Sequence, residues 1–466
     1  MTAKGDLTRG PVGRRLFRVS APMAPGIMGV LSVGLADAFF LARDGANALA
    51  AIGFVFPVIV ALTSLSVGLA AGTTTMVSQG IGRGVTGCER ARMMVHAVTL
   101  AAVLAMIVAL AFWILAPWIF MLMGARGATL SAALDYVPWW GLSFPPMVAG
   151  MALNATCRAA GRSGIAGTVM SVQALLNVAL DPVFIFGLGP LPAMGIEGAG
   201  LATFAARLAA FAGLMIFAVW MRFLHAGVAP FRGAASSARR IARVGVPAAL
   251  SNMINPLGMA FITAMVARLG DPAVAGFGAA GRVQTLLLVP MLALSSGLAP
   301  VVGQAWGAGL RARAGAALAR AMLWSAGIGL ALAVTMLFAG GPVARLMTGG
   351  DGAAPYAAQY LRVASWGFFA YGILVTANAA LNARDLALWT MALTVLRVFG
   401  LYLPMVWAGM TVAGYGGLLM ATVLANLLGA AAAVAACRRS GLLGPAGRDG
   451  EVAATDAPAR ATRAGD

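Results

Sequence analysis

The chain has 466 residues, 61% of them hydrophobic and only 10% charged, with a mean hydropathy of +0.89. A soluble globular chain carries about a quarter charged residues, so a soluble enzyme, a disordered protein and a disulfide scaffold are all excluded in favour of a polytopic membrane protein. The net charge of +18 does not signal nucleic acid, because the basic residues (all Arg except Lys4) sit in short segments between apolar stretches, with no stripe of interleaved aromatics.

A bilayer core needs about 20 apolar residues per helix, and twelve such stretches follow one another along the chain. The first six are predicted at 20–42, 48–80, 93–118, 134–157, 163–187 and 198–221, and the second six at 244–267, 273–306, 318–340, 356–381, 386–409 and 416–437. The second and eighth exceed one span, so each is expected to project a helical end into the cytoplasm. With the N-terminus placed inside, the inner segments hold 24 of the 32 basic residues, the outer segments five, and the spans three (Arg207, Arg282 and Arg397). That asymmetry predicts a bacterial inner-membrane protein with both termini cytoplasmic. No cleavable signal is expected, since the basic start runs into a full-length apolar segment. The expected division is a cytoplasmic segment 1–19, an N-lobe 20–221, a basic linker 222–243, a C-lobe 244–437 and a disordered tail 438–466. Cys88, Cys157 and Cys437 lie far apart and are expected to be free thiols. Trp113, Trp118, Trp139 and Trp140 read as an interfacial belt around the outer ends of spans three and four.

The two halves are one repeat. Shifted by 225 positions, Pro22 meets Pro247, Arg43 meets Arg268, Gly72 meets Gly297, Gln79 meets Gln304 and Gly82 meets Gly307. Small residues alone permit close helix packing, but they do not explain a single ungapped register. Six spans per half give both halves the same membrane orientation. The fold expected is an all-α polytopic membrane protein, twelve transmembrane helices in two six-helix lobes related by a pseudo-two-fold axis along the membrane normal. Such parallel repeats place substrate between the halves.

Of 14 acidic residues, two fall inside spans: Asp37 in the first and Asp181 in the fifth. A carboxylate there costs at least roughly 2.5–3.5 kcal/mol, and both are placed in the outer half of the membrane. Asn177 precedes Asp181 by one helical turn, and Thr203 and Arg207 share a face of the sixth span. Asp37, Asn177, Asp181 and Thr203 thus form a candidate cation or proton site, whose oxygen ligands suit Na⁺. The alternative is a buried pair with Arg207 that only fixes helix positions. Arg282 and Arg397 lack a nearby acid in sequence and are candidates for cavity lining or charge partners. Pro22 and Pro25 are expected to kink the first span, so that bending is coupled to the state of Asp37. In the second half Ile262 stands at the position of Asp37, so the acid site exists once.

The stretches LADAFFLARDGANALAAIGFVFPV (35–58), GLAAGTTTMVSQGIGRG (68–84), ALLNVALDPVFIFG (174–187), MGIEGAGLAT (194–203) and IARVGVPAALSN (241–252) resemble the multidrug and toxic compound extrusion (MATE) transporters, on their DinF-like prokaryotic side. The resemblance implies a V-shaped exporter that expels amphipathic, often cationic organic compounds in exchange for H⁺ or Na⁺. It also implies that Asp37, Asn177, Asp181 and Thr203 form its coupling site. NorM-like members carry a seventh-span Glu where Asn255 aligns, so no coupling site is expected in the second lobe. A lipid-linked saccharide flippase of the same superfamily is the alternative, and Arg207, Arg282 and Arg397 keep it open. No nucleophile–base pair, metal-ligand cluster or Walker motif is present, so the chain is expected not to be an enzyme. It is expected to need no cofactor beyond the coupling ion and to bind no nucleic acid. Its expected partners are small organic solutes and the lipid bilayer, and its expected state is a monomer.

Overall fold

The computed structural model describes residues 6–44, 46–85, 87–187, 192–221, 223, 225, 227, 229–350 and 352–444. Lys4, Arg222, Asp351 and the tail from 445 onward lie outside these described residues. A short amphipathic helix α1 (Val12–Ser20) leads into six long helices of the first half: α2 (Met23–Asp44), α3 (Ala46–Gly82), α4 (Gly87–Leu122), α5 (Gly127–Ala159), α6 (Ser163–Phe186) and α7 (Gly195–Trp220). The second half continues with α8 (Ala234–Val266), α9 (Asp271–Leu287), α10 (Val289–Gly307), α11 (Arg311–Thr348), α12 (Ala354–Val363), α13 (Phe368–Ala383), α14 (Ala387–Val395) and α15 (Leu403–Arg439).

Nine helical segments among the described residues are long and apolar enough to cross a membrane, and α9 with α10, bent by 42° at their junction, adds a tenth. The 53-residue segment Ala387–Arg439 contributes two spans rather than one. Its backbone leaves the helix at Ala413 and Gly414, where Gly414 takes φ +58, and the chain folds back so that Gly409 lies against Gly417 and Thr422 against Tyr402. The remaining span is α5, whose 33 residues carry Pro138, Pro145 and Pro146 and so read as less apolar than their neighbours. The second expected stretch is a single helix of 37 residues, whereas the eighth is the bent pair. α8 starts at Ala234, inside the expected linker, and α15 runs on to Arg439, with Leu442 buried beyond it. The three cysteines are free, Cys88 exposed and Cys157 and Cys437 buried.

The prolines of the first span sit at its entry, at the break between α1 and α2. Ala21 and Pro22 form the turn between α1 and α2, and Pro25 falls in the first turn of α2, where a missing N–H breaks no intrahelical bond. The helix from Met23 to Asp44 is continuous through Asp37, so the break lies at the entry to the span.

The repeat read from the sequence is visible as reciprocal packing. A side chain on Gly82 would meet the carbonyl oxygen of Gln304 at 2.1 Å, and one on Gly307 would meet that of Gln79 at 2.2 Å. These are the same contact seen from the two halves, α3 crossing α10 at the axis that relates the lobes. Both glycines are required because backbone approaches backbone, leaving no room for a Cβ. Hydrogen bonds between lobes gather at this end, on the face that carries Leu7 and Leu442. Gln79 Nε2 donates to the Ala383 carbonyl at 2.8 Å and to the Asp385 carboxylate at 2.9 Å. Its repeat mate Gln304 donates to the Ala159 carbonyl at 2.7 Å and accepts from the Leu7 amide. Each glutamine thus reaches across to the helix end of the other lobe. Arg313 ties Leu7 and Gly10 down to the second lobe by donating to their carbonyls.

Candidate functional site

Four helices of the first lobe bring its polar residues to one place. α2 supplies Asp37, α5 supplies Tyr136, Trp140 and Ser143 along one face, α6 supplies Asn177 and Asp181, and α7 supplies Thr203 and Arg207. Spacings of three or four residues put each helix's contributions on a single side. Asp181 is fully buried, Asn177 is 3% exposed and Thr203 is 7% exposed. Asn177 Nδ2 lies 3.5 Å from both Asp181 Oδ1 and Thr203 Oγ1, linking α6 to α7. Pro182 follows Asp181 inside α6, so the helical ladder lacks a donor at that turn.

The carboxyl groups of Asp37 and Asp181 face one another, with Arg207 within electrostatic reach of Asp37. The Tyr136 phenol neighbours both carboxyls and the Thr203 hydroxyl. Asp37 Oδ1, Asp181 Oδ2 and Asn177 Oδ1 are buried without a hydrogen-bond partner. Two carboxylates brought together away from water repel and leave lone pairs unsatisfied. A shared proton or a bound cation resolves both problems, so the cluster suits reversible capture of a small positive charge.

The structure brings together Asp37, Asn177, Asp181 and Thr203, as the sequence led one to expect. Arg207 is not their ion-pair partner. Its guanidinium donates to Ser143 Oγ at 2.7 Å and lies 5.7 Å from the Trp140 ring, and among the described residues no carboxylate is within ion-pairing distance of it. Trp140 is therefore no member of an interfacial belt. It is 1% exposed, whereas Trp113 and Trp118 are 57% and 67% exposed. Tyr136, Trp140 and Ser143 went unrecognised as site residues because aromatics and hydroxyls in an apolar run look like ordinary packing. Their common face, opposite the acid-bearing helices, was the available signal.

Arg282 lines a pocket of about 650 Å³ with Asp271 and Met347 at the end of the second lobe away from Leu7, not the space between the lobes. That central space is a cavity of about 430 Å³, lined from both lobes and including Arg158, Asn255 and Arg397. One wall, from α2 to α6, is largely apolar, with Met23, Ile27, Val67, Met151 and Met170. The other, from α8 to α14, presents Ser251, Asn252, Ser295, Asn378, Thr390 and Thr394. No Asp or Glu is among the described lining residues. Arg397 is the second residue of a π-helical stretch, Leu396–Tyr402, between α14 and α15. Irregular turns of this kind frequently mark functional sites.

Comparisons with known proteins agree with this architecture. A family model described as MatE matches the chain twice, at residues 22–183 and 247–408, two matches whose starts and ends are 225 positions apart. The FAD transporter of Shewanella oneidensis is 33% identical over 432 residues, 92% of this chain and 95% of the relative. The multidrug export protein MepA of Staphylococcus aureus is 23% identical over 300 residues, 63% of this chain and 64% of the relative. The crystal structure of the Vibrio cholerae MATE transporter VcmN in its bent form has 27% sequence identity and superposes with a TM-score of 0.87 over 92% of this chain and 97% of that one. With the family model matching both halves 225 positions apart and a shared two-lobed helical fold, the chain belongs to the MATE family of membrane transporters.

Proposed function

We propose that the chain is a secondary exporter that moves an organic solute outward through the cavity between its lobes, in exchange for H⁺ or Na⁺ held at Asp37, Asn177, Asp181 and Thr203. The observation that carries this reading is the pair of facing carboxyls with unpartnered buried oxygens, present in one lobe and replaced in the other by Ile262. A cation entering there relieves the repulsion between Asp37 and Asp181 and lets α2 and α6 close on each other. The Arg distribution supports a cytoplasmic location for the face bearing Leu7 and Leu442. The glutamine contacts at that face then close the cavity toward the cytoplasm, as an exporter releasing solute outward requires.

For the solute, the leading reading is a flavin dinucleotide, supported by the Shewanella FAD transporter and by a cavity that carries arginines and no carboxylate. A second reading, amphipathic organic cations, is favoured by relatives such as MepA. Proteoliposomes loaded with FAD or with ethidium separate the two. The expected result is gradient-driven loss of FAD and no stimulated loss of ethidium. Stimulated loss of ethidium alone would replace the first reading with the second, and loss of neither would shift the assignment toward lipid-linked anions.

A further inference from the structure

The second lobe holds a buried cation that no carboxylate among the described residues neutralises. Arg397 is 8% exposed. Its Nη1 donates to Asn426 Oδ1 at 3.2 Å and its Nη2 to Asn255 Oδ1, while the guanidinium carbon lies 5.9 Å from the Tyr371 ring. Its Nε is buried without a partner, and among the described residues no carboxylate lies within ion-pairing distance. Two amide dipoles orient a guanidinium but do not cancel its charge. An unpaired charge within a membrane protein is costly and marks a ligand or ion pathway. A carboxylate at position 255 would form an internal ion pair with Arg397, but the residue there is an amide. Arg158 lines the same cavity, donates to Asn154 Oδ1 and also leaves its Nε without a partner. It immediately precedes Ala159, whose carbonyl receives Gln304, so it sits toward the closed end.

We infer that Arg397, oriented by Asn255 and Asn426, is an anion subsite of the transport cavity. It takes a phosphate or pyrophosphate group of the solute, and Arg158 provides a second positive group toward the closed end. A guanidinium fork matches phosphate geometry with charge-assisted hydrogen bonds. The hydroxyl and amide wall beside Arg397 suits the polyol or sugar adjoining such a group, and the methionine wall across the cavity suits a flat apolar ring. The inference rests on the cavity being the transport site. It divides labour between the lobes: the first handles the coupling cation and the second handles the anionic solute.

The test compares riboflavin, FMN and FAD, which share one ring system and differ in phosphate, for binding to the full chain in nanodiscs. FMN and FAD are expected to bind at least about tenfold more tightly than riboflavin, the size of one charge-assisted contact. Arg397→Gln should reduce that ratio to near one. Asn255→Asp, which keeps the side-chain shape and supplies an internal counter-ion, should do the same. Inorganic pyrophosphate should compete with FAD on the wild type. A wild-type ratio near one, or a ratio retained in both variants, would overturn the subsite while leaving flavin export standing. Absence of all flavin binding together with Arg397-dependent binding of ADP would overturn the flavin reading and leave the subsite standing. Binding of neither flavins nor ADP nor pyrophosphate would overturn the subsite.

Discussion

The two lobes share a scaffold and part ways in chemistry. Position 37 carries a carboxyl that faces Asp181, whereas its repeat mate Ile262 is fully buried among Phe277, Tyr360 and Tyr402. The second lobe satisfies its interior with neutral groups, Tyr360 donating to Gln284 and Thr422 to Tyr402, and among the described residues its buried charge is Arg397. What was kept through duplication is the packing at the axis, where glycine meets backbone. What was free to diverge is the side-chain chemistry farther from it. The comparison therefore separates the requirement for two lobes, which is mechanical, from the requirement for charge, which is local.

The sharpest way to break the comparison is to remove the acid. Asp37→Asn should reduce gradient-driven export to background while the protein still inserts and still binds solute, because the solute cavity is lined by other residues. Export at the wild-type rate in that variant would show that the lobes do not differ in the way described. Moving the acid instead, as Ile262→Asp, should not create a second coupling site. It places a carboxyl among apolar and neutral groups and should cost at least roughly 2.5–3.5 kcal/mol, read as a lowered melting midpoint in detergent. A stable variant with altered ion stoichiometry would contradict this.

The shared mechanics are tested at the axis. Gly82→Val and Gly307→Val push a side chain into the backbone of the partner helix, and overpacking of this kind costs about 1–3 kcal/mol. The two losses should be similar, since the contacts are reciprocal. A loss confined to one of them would mean that the repeat relation does not extend to the packing. The smallest effect is expected from Ser143→Ala, which removes the acceptor of the Arg207 hydrogen bond. Arg207 keeps the face of the Trp140 ring as a partner, so the cost should be about 1 kcal/mol, again measured as a shift of the melting midpoint.

Much of this is legible in the order of the residues, for identifiable reasons. Apolar runs of membrane length and the arginine asymmetry depend only on the order of residues along the chain. The 225-residue register showed because glycines and prolines at tight contacts resist change. Asp37 and Asp181 stood out as acids in apolar surroundings. Other features had no such contrast. Tyr136, Trp140 and Ser143 differ little from ordinary span residues until helices α5 and α7 are packed together. The Arg397–Asn255 pair joins residues 142 positions apart and depends on a π-helical turn that no local pattern announced. Arg207 looked like the natural partner of the acids, yet a hydroxyl on a third helix takes its hydrogen bond. Pro22 stands at the break between α1 and α2, and the sequence pattern does not distinguish that junction from a kink because the apolar segment runs on across it.

The central claim is that the first lobe's carboxyl pair couples solute export to a cation. Its most direct test is FAD efflux from proteoliposomes under an H⁺ gradient and a Na⁺ gradient imposed separately, in the wild type and in Asp37→Asn. The account predicts that one of the two gradients accelerates efflux in the wild type and that neither does so in Asp37→Asn. Efflux that ignores both gradients in the wild type, or that responds equally in the variant, would contradict it.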